Sequence, residues 1–345
     1  MGQPEPVPAG TTWSRRAFLA KSAAIGLFAG VLGANTRNAR AEAPPETTRI
    51  RVVGGPAICV APQYVAEAFL RAEGFTEIEY VKFDTTTTPR GTVANGLADV
   101  ILDSVGDVVT DIDAGVPLVT LAGVHLGCYE LFGTERVRAI RDLKGKTISV
   151  DALGAAQHTF LSAMISYVGL DPRKDINWTL HPSSEAIKLF AEGKVDAYLG
   201  FPPEPQELRA KKIGHVVVNT ATDRPWSQYF CCMMVGNRDF VHNNPVAIKR
   251  AMRAILKAAD LCAQDPESAA RLVVQKGFTK NYDYALEALK EVSYGAWRTY
   301  DPETTMRFHA LRLHEVGMIK AAPDRIIAKG SDWRFLNELK KELKA

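Results

Sequence analysis

The chain holds no Cys-x-x-Cys pair, no Gly-x-Ser-x-Gly elbow, no glycine-rich loop for nucleotide phosphates, and no run of Lys and Arg interleaved with aromatics. These absences remove dithiol oxidoreductases, serine hydrolases of the elbow type, nucleotide-driven enzymes and nucleic-acid binders from consideration. The seven histidines, at 125, 158, 181, 215, 242, 309 and 314, have no metal spacing. His309 and His314 are five apart, and so do not share a helical face as an i, i+4 pair does. An apolar run long enough to cross a bilayer is missing too; the nearest, Ser22–Ala34, is too short.

That short run has a different use. It follows Ser14-Arg15-Arg16-Ala17-Phe18-Leu19-Ala20-Lys21 and precedes Ala39-Arg40-Ala41, the order of a charged region, an apolar region and a small-residue cleavage site. The adjacent arginines with Phe-Leu behind them read as a twin-arginine export signal, residues 1–41, cut near Ala41. No cysteine precedes Cys59, so no lipid is attached at the cut. The expected product is a soluble periplasmic protein of about three hundred residues, enough for two α/β lobes of ordinary domain size. Of 42 basic and 39 acidic residues, the signal holds five and one, leaving 37 and 38. The net charge of +3 therefore becomes −1, and the basic balance of the whole chain implies no polyanionic partner.

Five cysteines remain to be placed: Cys59, Cys128, Cys231, Cys232 and Cys262. In an oxidising compartment a Cys59–Cys128 disulfide is one option, and the odd count leaves a free thiol. Cys231-Cys232, inside Tyr-Phe-Cys-Cys-Met-Met-Val, reads as part of a buried strand rather than a metal site, and the cysteines as structural.

What the chain does contain is organised around Asp142–Thr159. Lys144-Gly145-Lys146 is a turn, Thr147–Val150 a strand, and Asp151–Gln157 a small-residue loop opening a helix. Phe160, Leu161, Met164, Ile165 and Val168 stripe that helix at a 3.6-residue period, and Gly169 ends it. Free N–H groups and the helix dipole at such a start can hold a polar or anionic ligand. The unit has an earlier counterpart: Ile50–Val53 matches Ile148–Asp151 at an offset of 98, and Gly96–Leu102 matches Gly193–Leu199 at 97. Two matches in order at nearly one spacing predict two lobes of like topology.

Between these landmarks the pattern predicts a helix from Pro62 to Ala72, strands at Ile78–Phe83 and Val116–Val124, and a helix after Thr85–Pro89. In the second lobe it predicts strands at Ile176–Leu180, Val195–Leu199 and Val216–Asn219, and a return strand at Tyr229–Val235. The remainder reads as helices starting at Asn244-Pro245, Asp265-Pro266 and Asp301-Pro302, each a capping residue followed by proline. Such a block is expected against the first lobe. In open α/β sheets, ligands sit beyond the carboxyl ends of the strands. Those ends are Gly54–Ala61, Asp103–Asp107, Asp151–Gln157 and Phe201–Glu204, which together describe an interlobe cleft.

Several motifs fall in a telling order: Phe83-Asp84 with Pro89, Gly96-Leu97-Ala98-Asp99, Ser104-Val105-Gly106-Asp107 and Asp142-Leu143-Lys144-Gly145-Lys146. Gly154 with His158, and Val195-Asp196-Ala197 with Phe201-Pro202-Pro203, complete the series. From Arg49 to Asp239 the sequence resembles the nitrate/sulfonate/taurine family of periplasmic substrate-binding proteins. The resemblance implies a type II periplasmic binding protein, in which two α/β lobes on two connecting strands close over a ligand. It assigns 49–145 and 235–345 to one lobe and 146–234 to the other. Its partners would be a small molecule, an ABC permease with its cytoplasmic ATPase, and the twin-arginine export machinery. A monomer without cofactor, metal or nucleic acid is expected.

The ligand-binding residues expected in the first lobe are Gly55, Ala57, Ile58, Thr87, Thr88, Asp103, Ser104, Gly106, Tyr129 and Glu130. In the second they are Gly154, Ala155, Ala156, Gln157, Phe201, Pro203, Glu204 and Trp226. The four loops carry acids but no Lys or Arg, which departs from a sulfonate or nitrate binder and suits a neutral or cationic ligand. The superfamily includes binders of thiamine-pyrimidine precursors; Tyr129, Phe201 and Trp226 would stack on a flat heterocycle while Glu130 or Glu204 accepts its amine hydrogens. Asp107 has a second reading as a helix cap, and Asp99 and Asp196 read as turn residues. The alternative is a thiamine-pyrimidine-synthase-like enzyme or a cofactor-binding periplasmic protein. Those enzymes have a longer cysteine run where this chain continues Cys231-Cys232 with Met233-Met234, so that motif is incomplete.

Overall fold

A computed structural model of the chain describes residues 42–83 and 88–344. The expected export signal at 1–41 and the expected ligand residue Thr87 lie outside the described residues.

The chain enters through β1 (Arg49–Gly54), β2 (Glu77–Lys82), β3 (Val100–Ser104) and β4 (Leu118–Leu126). It then crosses to β5 (Glu130–Gly133), β6 (Thr147–Val150), β7 (Asn177–Leu180), β8 (Ala197–Gly200) and β9 (His215–Asn219), and returns in β10 (Phe230–Asn237). Among the described residues these strands form two five-stranded sheets, ordered β2-β1-β3-β10-β4 and β7-β6-β8-β5-β9. Each therefore has the same plan: three parallel strands, then one antiparallel strand that has just crossed over, then an edge. The two sequence echoes fall on equivalent positions, β1 with β6 and β3 with β8. Sheet membership puts the crossing between Leu126 and Glu130, ahead of the Lys146 boundary, and the return between Asn219 and Phe230.

The symmetry reaches single atoms. Asp99 accepts the Arg51 backbone N–H at 2.7 Å and pairs with the Arg51 guanidinium at 2.6 Å. Asp196 accepts the Thr147 N–H at 2.9 Å and pairs with Arg136 at 2.5 Å. Each carboxylate ties the start of one parallel strand to its parallel neighbour, β3 to β1 and β8 to β6, so both aspartates are structural.

Small-residue loops lead from the strands into helices. After β1 come α1 (Ala61–Val65) and α2 (Glu67–Ala72), which divide at Ala66 the single helix that the pattern predicts. α3 (Pro89–Ala94) is capped by the Thr88 hydroxyl, which accepts the Gly91 N–H at 2.9 Å. α4 (Val105–Asp113) follows β3, α5 (Ala156–Tyr167) follows β6, and α6 (Ser183–Ala191) and α7 (Glu204–Ala210) follow β7 and β8. β4 and β10 are buried along their whole length, which is why they read as unbroken apolar runs rather than alternating ones.

Beyond β10 the chain is helical: α8 (Arg238–Asn243), α9 (Pro245–Gln264), α10 (Pro266–Gln275), α11 (Tyr282–Glu291), α12 (Pro302–Glu315), α13 (Pro323–Gly330) and α14 (Arg334–Glu342). The three helix starts at Asn244, Asp265 and Asp301 fall where the Asn/Asp-Pro pairs predict. α9 lies against α1 and α2, with Arg253 and Lys257 paired to Glu73 at 2.5 and 3.1 Å. α12 also reaches α5, where the Ser166 hydroxyl donates to Arg312 O at 3.0 Å.

Candidate functional site

The loops beyond the strand ends of the two sheets meet. The Ile58 N–H donates to Pro202 O at 3.1 Å, joining the loop after β1 to the loop after β8. At Gly106, in the first turn of α4, an added Cβ would stand 2.9 Å from Thr159 Oγ1 in the first turn of α5. The Thr159 hydroxyl donates to the buried carboxylate of Asp107. Ile58, Gly106 and Asp107 from one sheet thus meet Pro202 and Thr159 from the other.

On the second-sheet side, α5 begins without a side-chain cap, so the first N–H groups of Ala156, Gln157 and His158 are left for a ligand or water. Gly154, at φ +84°, donates its N–H to His158 Nδ1 at 3.0 Å. That acceptor role requires a neutral imidazole, and burial lowers the His158 pKa to about 4. Gln157 Nε2 reaches Ser183 Oγ at 3.4 Å, and Ser183 donates to Asp151 at 3.2 Å, fixing the loop from below. Tyr129 packs on Phe160 and Phe201 at ring-centroid separations of 4.6 and 6.1 Å, forming an aromatic floor.

The acids behave differently from their sequence reading. Arg90, on α3, is buried and reaches Asp103 at 3.0 Å, Asp107 at 2.8 Å and Asp111 at 2.6 Å. A guanidinium does serve these loops from outside them, and it is saturated by three carboxylates. Burial pushes the Asp107 carboxyl upward, opposed by Arg90. Glu130 pairs with Arg209, which also holds Glu287 and Glu291 at 2.7 Å each. Glu204 accepts the Tyr198 hydroxyl at 2.7 Å and the Phe201 N–H at 3.3 Å, and burial raises its pKa to about 7. Glu130 and Glu204 thus each have a partner inside the protein, while Glu130 Oε2 has none. Trp226 packs edge-on to Tyr167 and Phe308 at 5.1 and 5.9 Å. Tyr167 ends α5, whereas the candidate site is at its start, about 17 Å away along the axis, so Trp226 is not brought to the site.

Sequence reasoning missed Arg90, Thr159 and Pro202. Asp103, Asp107 and Asp111, each four apart, make a stripe of acids that calls for a buried cation, and Arg90 just after Pro89 was the available one. An open hollow of about 550 Å³ lined by Leu126, Lys290, Tyr294 and Tyr300 lies among the carboxyl-terminal helices and includes none of the expected ligand residues.

Two sheets of one topology, bridged twice and facing each other through loops, define the fold of the periplasmic binding proteins. Residues 59–269 match the family model described as NMT1/THI5 like, so the chain belongs to that family. Among solved structures it is similar to the periplasmic nitrate-binding protein NrtA from Synechocystis, with a TM-score of 0.72 and 15% identity over 88% of this chain and 90% of that one. The alkanesulfonate-binding protein SsuA from Xanthomonas axonopodis pv. citri gives a TM-score of 0.67 and 17% identity, over 84% and 99%. A Candida albicans protein described as having the generic periplasmic binding protein fold gives 0.65 and 13%, over 82% and 96%. At these identities the likeness establishes the fold alone. No curated protein matches the sequence significantly. Among the described residues no helix is long and apolar enough to cross a membrane.

Proposed function

We propose that the mature chain is the solute-binding component of an ABC importer, exported through the twin-arginine route, holding a small molecule between its lobes without transforming it and delivering it to a permease. One lobe is built on the β1–β4/β10 sheet and the other on the β5–β9 sheet. The observation that carries the reading is the meeting of strand-end loops from both sheets, through Ile58 with Pro202 and Asp107 with Thr159.

For the ligand, a neutral or cationic molecule with a flat ring is favoured over a sulfonate- or nitrate-like anion. The described loop residues include no Lys or Arg, and Arg90 already serves three carboxylates, leaving its group formally at −2. Asp103 is part-exposed and Asp151 exposed, so acid faces the same region. Among the described residues, an anion would find backbone N–H groups at the uncapped starts of α4 and α5, with Asp107 in the first turn of α4 opposing it. Tyr129 and Phe201 supply the flat apolar surface.

A thermal-shift screen of the mature protein across taurine, alkanesulfonates, nitrate, bicarbonate and aminopyrimidines tests both parts. A ligand at a hundredfold excess over Kd adds about 2.7 kcal/mol, a readily measured shift. Stabilisation by anions alone would overturn the ligand class, and turnover of a bound compound would overturn the binding reading.

A further inference from the structure

Four of the five cysteines, far apart in sequence, arrive at one place. Cys59 comes from the loop after β1, Cys128 from the crossing after β4, and Cys231 and Cys232 from β10 as it returns. His125, in β4, stands among them. The ligating atoms of Cys59, His125 and Cys232 lie within 4.8 Å of one another, and those of His125, Cys128 and Cys231 do the same. Cys128 Sγ and Cys231 Sγ are 3.1 Å apart, and all the cysteines are unbridged and buried.

The histidine gives the independent sign. It is fully buried, its Nδ1 stands 3.0 Å from Leu126 O where it donates, and its Nε2 has no partner in hydrogen-bond geometry, with the Cys59 and Cys232 thiols beside it. A backbone carbonyl on one ring nitrogen sets the tautomer that presents a lone pair on the other, the arrangement that orients imidazoles toward metal ions. A buried nitrogen without a partner is costly in an ordinary core.

We propose that Cys59, His125, Cys128, Cys231 and Cys232 form a buried site for a soft d10 metal ion, Zn(II) or Cu(I). Thiolates with one imidazole are the donor set that such ions take. The thiols entering coordination lose their protons to solvent, and the metal charge balances the thiolates that burial alone would disfavour. The bound ion would tie the loop after β1 to both crossing segments at the base of the two lobes. The site adjoins the candidate solute site, since Cys59 and Cys128 neighbour Ile58 and Tyr129 in sequence and Cys232 pairs with Ser104, so metal uptake is measured on protein free of solute.

The test uses mature protein reduced under argon and passed over a desalting column. It is titrated with Zn(II) and Cu(I) against chromophoric competitors, and with Co(II) as a spectroscopic probe. One retained equivalent is expected, with sulfur-to-cobalt charge-transfer absorption and tetrahedral d–d bands; the competitors decide between Zn(II) and Cu(I). His125→Ala and Cys232→Ser should each weaken binding at least tenfold, while Cys262→Ser should bind like the parent. Circular dichroism identifies a variant that fails to fold, in which case Cys59→Ser replaces it. The proposal falls if reduced, folded parent protein keeps no metal, or if the variants bind as well as the parent. It falls equally if the isolated protein carries a Cys128–Cys231 disulfide and takes up no ion once that bond is reduced.

Discussion

Arg90 shows what one side chain can settle in this protein. Its guanidinium is buried with three carboxylates, a geometry in which the group is far more damaging to remove than to keep. Arg90→Met should lower unfolding stability by roughly 3–5 kcal/mol, because it strands buried acids without their counter-charge. Urea denaturation checks this, and an unchanged midpoint would contradict the role assigned to Arg90. Glu204 carries a pH signature of opposite origin. Burial raises its pKa to about 7 from the ordinary carboxylate range, so the folded state holds the proton more tightly than the unfolded state does. Its stabilising share is complete below the unfolded value and is withdrawn as pH climbs through about 7. Glu204→Gln cannot ionise and keeps an acceptor for Tyr198. It should match the parent near pH 5 and exceed it by roughly 2 kcal/mol at pH 8. Melting curves at the two pH values decide the matter.

Among the elements, the crossing segments are the most tightly constrained. Thr220 donates its N–H and its hydroxyl to Tyr129 O at 2.9 and 2.8 Å, and the Gly127 N–H reaches Tyr229 O at 3.4 Å. An added Cβ on Gly127 would stand 1.9 Å from Thr220 O. Gly127→Ala must push the two segments apart and should cost at least about 2 kcal/mol. Gly295→Ala, at a position with nothing within 4 Å, is the matched control and should be neutral. Equal melting temperatures for the two variants would mean that the segments are loosely held. Helices and strands were largely legible beforehand. The stripe from Phe160 to Ile165, Gly169 at φ +84° and the Asn/Asp-Pro helix starts are local signals that tertiary packing leaves in force. The break at Ala66 was not legible, since no Gly or Pro marks it.

For the molecule as a whole, export and capture are the behaviours to measure. Replacing Arg15 and Arg16 together by Lys should stop export, and protein recovered from the periplasm should begin at Glu42; export of the double variant at the parent level would remove the twin-arginine assignment. The candidate site was partly readable at this scale. Its loops followed from strand ends, yet the fate of each acid did not, because Arg90, Arg209 and Tyr198 sit outside those loops in sequence and reach them only through folding.

Local periodicity, capping pairs and the echo at 97 and 98 residues are properties of neighbouring or repeated residues, and from them the sequence alone determined two like α/β halves with facing loops. Which charges cancel, where Trp226 lies, and that Cys59, His125, Cys128, Cys231 and Cys232 share one buried pocket were decided by tertiary structure. Those outcomes depend on how separate segments are brought together, from Arg90 and Asp103, 13 residues apart, to Cys128 and Cys231, 103 apart, and no periodicity within a segment encodes them.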